Sequence, residues 1–229
     1  MGAWHPTSSV GGPPILASYG RSTWLPLLLA LAIATAASAA WLPWALVLTL
    51  PALLFVVWFF RDPQRQPERT DAARALICPA DGKVVEIAEA PEPEFIRGPA
   101  RKIAIFMSVA DVHVNRAPCD SVVKWTRHEP GRFMNAIRGE AGLENERVLI
   151  ALERPNGAPL LLKQVAGLIA RRIVCPLKPG QRLAGGERFG MIKFGSRVEI
   201  FLPAGENFDA AVRLGQRVAA GRTILGVWR

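Results

Sequence analysis

The sequence has little from which to build a redox framework or a metal cage. Its three cysteines, Cys78, Cys119 and Cys175, are odd in number and none sits in a CxxC pair. That excludes a disulfide framework and a cysteine-based zinc site, and no metal is expected. A reducing compartment follows, with each thiol a small core residue beside an apolar run. Histidine is equally scarce, at positions 5, 113 and 128. A single tyrosine and the lack of any nucleic-acid-binding motif leave no surface for stacking bases, so no nucleic-acid partner is expected. Charge is missing altogether from residues 22–60.

What is present is basic. Lys and Arg number 28 against 19 acidic residues, giving a formal net charge of +9. A charge-free block beside a basic remainder points to an anionic membrane surface as partner. One apolar helix crosses the hydrocarbon in about 20 residues. The block is too long for one such span and suits two, Trp24–Ala40 and Trp44–Phe60. Trp41, Pro43 and Trp44 then form the turn at one interface, where half-wet indole rings are at home. Arg21, Arg61 and Arg65 flank the other ends and place them on the cytoplasmic side of the inner membrane.

This divides the chain into a flexible Gly/Pro/Ser-rich leader, 1–22, a membrane anchor, 23–60, a polar linker, 61–75, and a globular domain, 76–229. The leader lacks a basic start followed by a short apolar core, so it is not expected to be a cleaved signal peptide. In the globular domain, short apolar-alternating runs are punctuated by Gly and Pro. They predict strands over Lys83–Ala88, Lys102–Ser108, Ser121–Thr126, Arg147–Leu152, Pro159–Val165, Ile192–Phe194 and Arg197–Leu202. Gln164–Val174 reads as helix or strand-helix. The expected class is therefore mainly β, a sandwich or barrel-like domain with minor α content, behind an N-terminal α-helical membrane hairpin.

The stretch FGMIKFGSRVEIFLP, 189–203, reads as strand, tight Gly195-Ser196 step, strand. Val198, Ile200 and Leu202 share one face, with Arg197 and Glu199 on the other. A serine held just after a glycine on a stiff support can attack the carbonyl of its own preceding peptide. Taken alone, Gly-Ser is far more often merely a bulge, and the rest of the chain has to decide. Asp81, in CPADGK, is a turn aspartate or a carboxylate able to orient an imidazole. His113 sits in the loop ADVHVNRAP, where a rigid strand presents Asp, His, Asn and Arg together. His128, between Arg127 and Glu129, reads as an exposed loop residue. Arg171 and Arg172 have the fork geometry that suits phosphate or carboxylate.

Together CPADGKV, FMSVADVHVNRAP, HEPGRFMNA, ENER, QVAGLIARRIV and RFGMIKFGSRVEIFLP, in this order, resemble the phosphatidylserine decarboxylase proenzymes of the short prokaryotic form. The resemblance covers Leu76–Arg229. It implies self-cleavage between Gly195 and Ser196, giving a β chain to 195 and an α chain 196–229 that stay together as a heterodimer able to dimerise further. It also implies that Ser196 becomes a pyruvoyl cofactor, with Asp81, His113 and Ser196 as the activating triad. That group forms a Schiff base with phosphatidylserine and releases carbon dioxide, leaving phosphatidylethanolamine. The sequence departs from longer bacterial members at one point: their second loop histidine is Arg116 here. Either His113 serves both cleavage and decarboxylation, or Arg116 binds the substrate carboxylate or phosphate, with Arg171 and Arg172 as further headgroup contacts. The competing class is a lipoyl-like adaptor, which requires a modifiable lysine at a hairpin tip. Lys83 lacks the Met-Lys-Met setting and Lys193 lies inside a strand run.

Overall fold

The computed structural model describes residues 15–67, 74–137, 139–168, 172–193 and 195–229. Most of the leader, including His5, lies outside the described residues, as do linker residues 68–73, Arg138, Leu168's neighbours 169–171 and Phe194. Two compact units are present, one ending at Gln64 and one running from Arg65 to Arg229.

The first unit is a pair of apolar helices, α1 (Arg21–Trp41) and α2 (Leu46–Phe59), joined through Leu42 and a short turn over Pro43–Ala45. The helices pack on each other and their outer ends meet, since Ala17 N–H donates to the Phe60 carbonyl at 2.7 Å and Leu16 bridges Arg61. α1, with the turn before it, is long and apolar enough to cross a membrane, whereas α2 is shorter. Leu29, Ile33, Val47, Leu48 and Leu54 are exposed. In water such a surface is costly, whereas in hydrocarbon it is at home. Three of the hydroxyls are satisfied internally: Thr35, Ser38 and Thr49 donate to carbonyls four residues back, at 2.7, 2.8 and 3.2 Å. Hydrocarbon demands this of any hydroxyl it surrounds. The helix starts at Arg21, so the last residues assigned to the leader are already part of α1.

The second unit has fourteen strands among its described residues. These are β1 (Ala75–Ile77), β2 (Gly82–Glu92), β3 (Gly98–Met107), β4 (Val114–Arg116), β5 (Ser121–Glu129), β6 (Arg147–Glu153), β7 (Pro159–Val165), β8 (Ile173–Val174), β9 (Arg182–Leu183), β10 (Arg188–Ile192), β11 (Ser196–Pro203), β12 (Phe208–Ala210), β13 (Arg217–Val218) and β14 (Ile224–Trp228). One helical turn, α3 (Ala141–Glu144), precedes β6. An eight-stranded antiparallel sheet, in the order β13-β2-β3-β11-β7-β6-β5-β9, carries two three-stranded sheets, β1-β14-β12 and β4-β10-β8. The expected mainly-β architecture is what the chain adopts. Lys83 lies within β2 rather than at a hairpin tip.

β11 is the centre of the large sheet, paired with β3 on one side and β7 on the other. Its Val198, Ile200 and Leu202 point into the main core with Ile103, Ile105, Ile150 and Leu162. The smaller sheets close that core through Leu76, Phe189, Ile192 and Leu225. The opposite face of β11 is also covered, but by charge and by Phe201, which packs with Leu149 and Leu161. There Arg197 Nε donates to Glu199 at 2.7 Å and also reaches Glu86, while Lys102 lies 3.1 Å from both carboxylates. Arg197 and Glu199 are each 1% exposed. Charges so deep are tolerable only because every one is paired.

Several boundaries differ from expectation. The strand predicted over Ile192–Phe194 is Arg188–Ile192, because these residues ladder with β4 and β8 and the chain must then turn to enter a different sheet at Ser196. The loop carrying His113 is shorter than predicted, since Val114–Arg116 pair with β10 as β4. His128 is not in a loop; it lies in β5, facing outward, with Nε2 3.2 Å from Glu146. In Gln164–Val174, the first two residues finish β7 and the last two form β8, with a break at Ala166 and Gly167.

Candidate functional site

The change of sheet at residues 193–195 fixes the site. β10 ends at Ile192 and β11 begins at Ser196, with Gly195 between at φ +59. A side chain at that φ is strained, so glycine is the residue that allows the step. Ser196 is fully buried and pairs with Met107 at the end of β3. Its hydroxyl donates to the Met107 sulfur at 3.4 Å, a weak partner that leaves the oxygen lone pairs unengaged by any strong donor in this contact.

The Gly195 carbonyl is packed as closely as the serine. A Cβ on Gly167 would lie 1.6 Å from the Gly195 oxygen and 2.8 Å from its carbon. Gly167 comes from the stretch just after β7, where Ala166 N–H donates to the Glu146 carbonyl at 2.9 Å. Asn145, fully buried, ties this stretch to the loop at 131–137. Its amide nitrogen donates to the carbonyls of Ala166 (2.8 Å) and Met134 (2.9 Å), and its oxygen accepts from Met134 N–H at 2.9 Å. Ala136 of that loop comes within 3.4 Å of the same Cβ position. The motifs HEPGRFMNA and ENER, which the sequence left without a role, thus form the wall behind the Gly195 carbonyl.

A second polar pair underlies Ser196. Gln164 Nε2 donates to Asn115 Oδ1 at 2.8 Å, and both residues are fully buried. Asn115 Nδ2 in turn faces the Pro79 carbonyl at 3.4 Å and the Met107 sulfur at 3.8 Å. Met107 therefore sits between the serine hydroxyl and this amide pair.

His113, 1% exposed, stands at the start of β4, and its carbonyl accepts from Ile192 N–H at 3.3 Å. The backbone thus sets it beside the end of β10, four residues before Ser196. Asp81 approaches the same turn: Val112 N–H donates to its Oδ2 at 3.4 Å, and Ala220 N–H donates to its Oδ1 at 2.8 Å. Arg65 grips both carboxylate oxygens through its two terminal nitrogens, Nη2 to Oδ2 at 2.8 Å. The fold thus sets Asp81 against Val112 and sets the backbone of His113 against Ile192, four residues before Ser196; the His113 ring is hydrogen-bonded to neither Asp81 nor Ser196 in this structure.

The three arginines fare differently. Arg116 is buried; its Nη1 donates to the Gly186 carbonyl at 3.1 Å and its stem lies against Gly221. Arg171 lies outside the described residues. Arg172 is exposed and its carbonyl accepts from Lys193 N–H at 3.4 Å, three residues before Ser196. Lys193, 5% exposed, has its ammonium pushed below the usual lysine range by burial and by the neighbouring Arg172 charge. A further amine and a guanidinium thus border the site.

The thiols are in the wrong state for catalysis. Burial raises Cys78, and pushes Cys119 up to about 12 and Cys175 up to about 11. A nucleophilic cysteine needs the opposite shift. Cavities of about 350, 310 and 190 Å³ lie among the described residues, and none of these three is lined by a candidate site residue. Among the described residues no three His, Cys, Asp or Glu side chains gather to hold a metal ion.

Sequence reasoning missed Arg65, Asn115, Gln164 and Gly167 as parts of this site. Asn115, Gln164 and Gly167 lay inside motifs already singled out, but only the fold shows which atoms they meet. Arg65 carried no signal beyond its place after an apolar run.

Comparison with known proteins adds the following. A family model described as phosphatidylserine decarboxylase matches residues 52–226. A protein of Salinibacter ruber named phosphatidylserine decarboxylase proenzyme is 44% identical over 79% of this chain and 79% of its own. Proteins of the same name from Symbiobacterium thermophilum and Carboxydothermus hydrogenoformans are 44% and 42% identical. They are covered over 89% and 96% of their lengths, and cover 85% and 92% of this chain.

Proposed function

The chain belongs to the phosphatidylserine decarboxylase family, and from that premise we propose that it is made as a proenzyme that cuts itself between Gly195 and Ser196. The observation that carries the proposal is the packing of that one peptide bond. A buried serine follows a glycine held at φ +59, whose carbonyl is pressed against Gly167.

In the proposed cut, His113 takes the Ser196 hydroxyl proton and Asp81 orients the imidazole. Ser196 Oγ adds to the Gly195 carbonyl carbon. The C–N bond then breaks, leaving Gly195 esterified to the Ser196 oxygen and the Ser196 nitrogen as a free amine. Loss of the Ser196 α-proton expels the Gly195 carboxylate, the new end of the β chain. The resulting dehydroalanine tautomerises, water adds, and ammonia leaves, so that residue 196 ends as a pyruvoyl group. Fixed backbone around the Gly195 oxygen favours the first step, because the oxygen needs no large reorganisation as charge develops on it.

The residues fit such a group. The glycine step and the apolar Met107 lie against position 196, with the Asn115–Gln164 pair behind Met107. When formed, the pyruvoyl carbonyl takes the phosphatidylserine amine as a Schiff base and draws electrons as carbon dioxide leaves. This chain's part is then to exclude water and to place the headgroup. Arg172, exposed and joined through its carbonyl to Lys193 N–H just after β10, is the proposed contact for the headgroup phosphate or carboxylate, alongside Arg171. The apolar helix pair is proposed to hold the enzyme at the inner membrane, with the 65–229 unit on the cytoplasmic side.

Ser196→Ala tests the reading directly. The wild-type protein should run as a large and a small chain on a denaturing gel. Its small chain should weigh one ammonia less than a peptide starting at an ordinary serine. Ser196→Ala should stay whole and inactive. An uncut variant with decarboxylase activity refutes the proposal.

A further inference from the structure

Asp81 receives more attention from the fold than a turn aspartate requires. Its two oxygens accept four donors. Ala220 N–H reaches Oδ1 at 2.8 Å, Val112 N–H reaches Oδ2 at 3.4 Å, and the two terminal nitrogens of Arg65 take one oxygen each. Arg65 Nη1 also donates to the Ala220 carbonyl at 3.1 Å. One guanidinium thus clamps the carboxylate and the backbone that donates to it. Both partners are largely shielded, with side-chain exposures of 15% for Arg65 and 12% for Asp81.

The geometry has a consequence for orientation. A carboxylate that accepts from Val112 N–H, one residue before His113, can turn about its Cβ–Cγ bond. Two backbone N–H donors on opposite oxygens restrain that rotation weakly, one of them at 3.4 Å. A planar fork bonded to both oxygens fixes the plane, which a point charge such as Lys does not. Arg65 also supplies the compensating charge for a carboxylate that the fold has nearly removed from water.

We propose that Arg65 is a positioning residue for self-cleavage. It holds the Asp81 carboxylate in the plane from which that carboxylate orients His113 during the cut. The proposal rests on the reading that Asp81, His113 and Ser196 perform the cut.

The test follows freshly translated full-length chains by gel, measuring the half-time of the cut in wild type, Arg65→Gly, Arg65→Lys, Asp81→Asn and the Arg65→Gly/Asp81→Asn double variant. Melting temperatures of the uncut chains are measured on a Ser196→Ala background. Loss of a group that orients a catalytic partner slows a reaction by about 10- to 100-fold, and Arg65→Gly should show a slowing of that size. Added guanidinium, well below unfolding concentrations, should restore part of the rate, whereas ammonium at the same concentration should not. Arg65→Lys should lie between. The double variant should be no slower than Asp81→Asn alone, since two residues acting as one unit are not additive. Three results overturn the proposal. The first is a wild-type rate in Arg65→Gly. The second is a double variant slower by the product of the single effects. The third is a slowing that guanidinium leaves untouched while the melting temperature falls. A wild-type chain that never cuts overturns instead the reading on which the proposal rests, and the gel separates that case from the others.

Discussion

Replacing Gly167 by alanine adds a single methyl group, and the structure says where it goes. The new carbon would stand 1.6 Å from the Gly195 oxygen, against an ordinary contact of roughly 3.5 Å. Something must therefore move by well over 1 Å. The Gly167 side is pinned by the Asn145 bonds and the Ala166–Glu146 bond, whereas Gly195 sits in a turn between two sheets. The carbonyl of Gly195 is the part that yields. A displacement of about 1 Å from attack geometry costs on the order of 100-fold in rate, so Gly167→Ala should cut at least about 100 times more slowly than wild type. The assay is a gel time course on newly made chains, with a melting curve to show that the uncut protein is folded. Gly98→Ala is the control, because an added Cβ there meets nothing within 4 Å. A folded Gly167→Ala chain cut at the wild-type rate would refute the idea that this contact sets the geometry of the reacting carbonyl.

Two other outcomes are expected. His113→Ala should slow the cut by roughly 10²- to 10⁴-fold, the usual contribution of a general base; normal processing would move the proton acceptor elsewhere. Arg197→Met should lower stability by about 1–3 kcal/mol, because Glu199 loses one of its two cations in a nearly dry site and keeps only Lys102. That loss is read as a lower denaturant midpoint at unchanged slope, and an unchanged midpoint would show the buried pairs to be energetically idle.

The strands of the large sheet were legible because each has its own alternation. β7 falls on its predicted boundaries, and β3, β5, β6 and β11 begin or end within a few residues of theirs. Short strands were not. β4 and β10 exist because they pair with each other, and a three-residue run such as Val114–Arg116 has no period to detect. His128 was misplaced for a related reason. Its neighbours Arg127 and Glu129 are polar, but an edge-side strand face can be polar throughout when it pairs through its backbone to β6. For the site, Ser196, Gly195, Asp81 and His113 could be picked out from motif chemistry. Gly167 and Arg65 could not, since their meaning lies in an atom more than ten residues away.

The position of Ser196 at the head of β11 also bears on the life of the molecule after a cut there. The short fragment would begin in the middle of the eight-stranded sheet, between β3 and β7, and would go on to supply β12, β13 and β14 to two different sheets. While the protein stays folded, nothing is lost. Once it is melted, two separate peptides must find each other before any of those strands can pair, and the covalent link that first threaded them is gone. The active form would thus be a structure the cell can assemble only once, with lifetime set by how slowly it comes apart rather than by how readily it recovers.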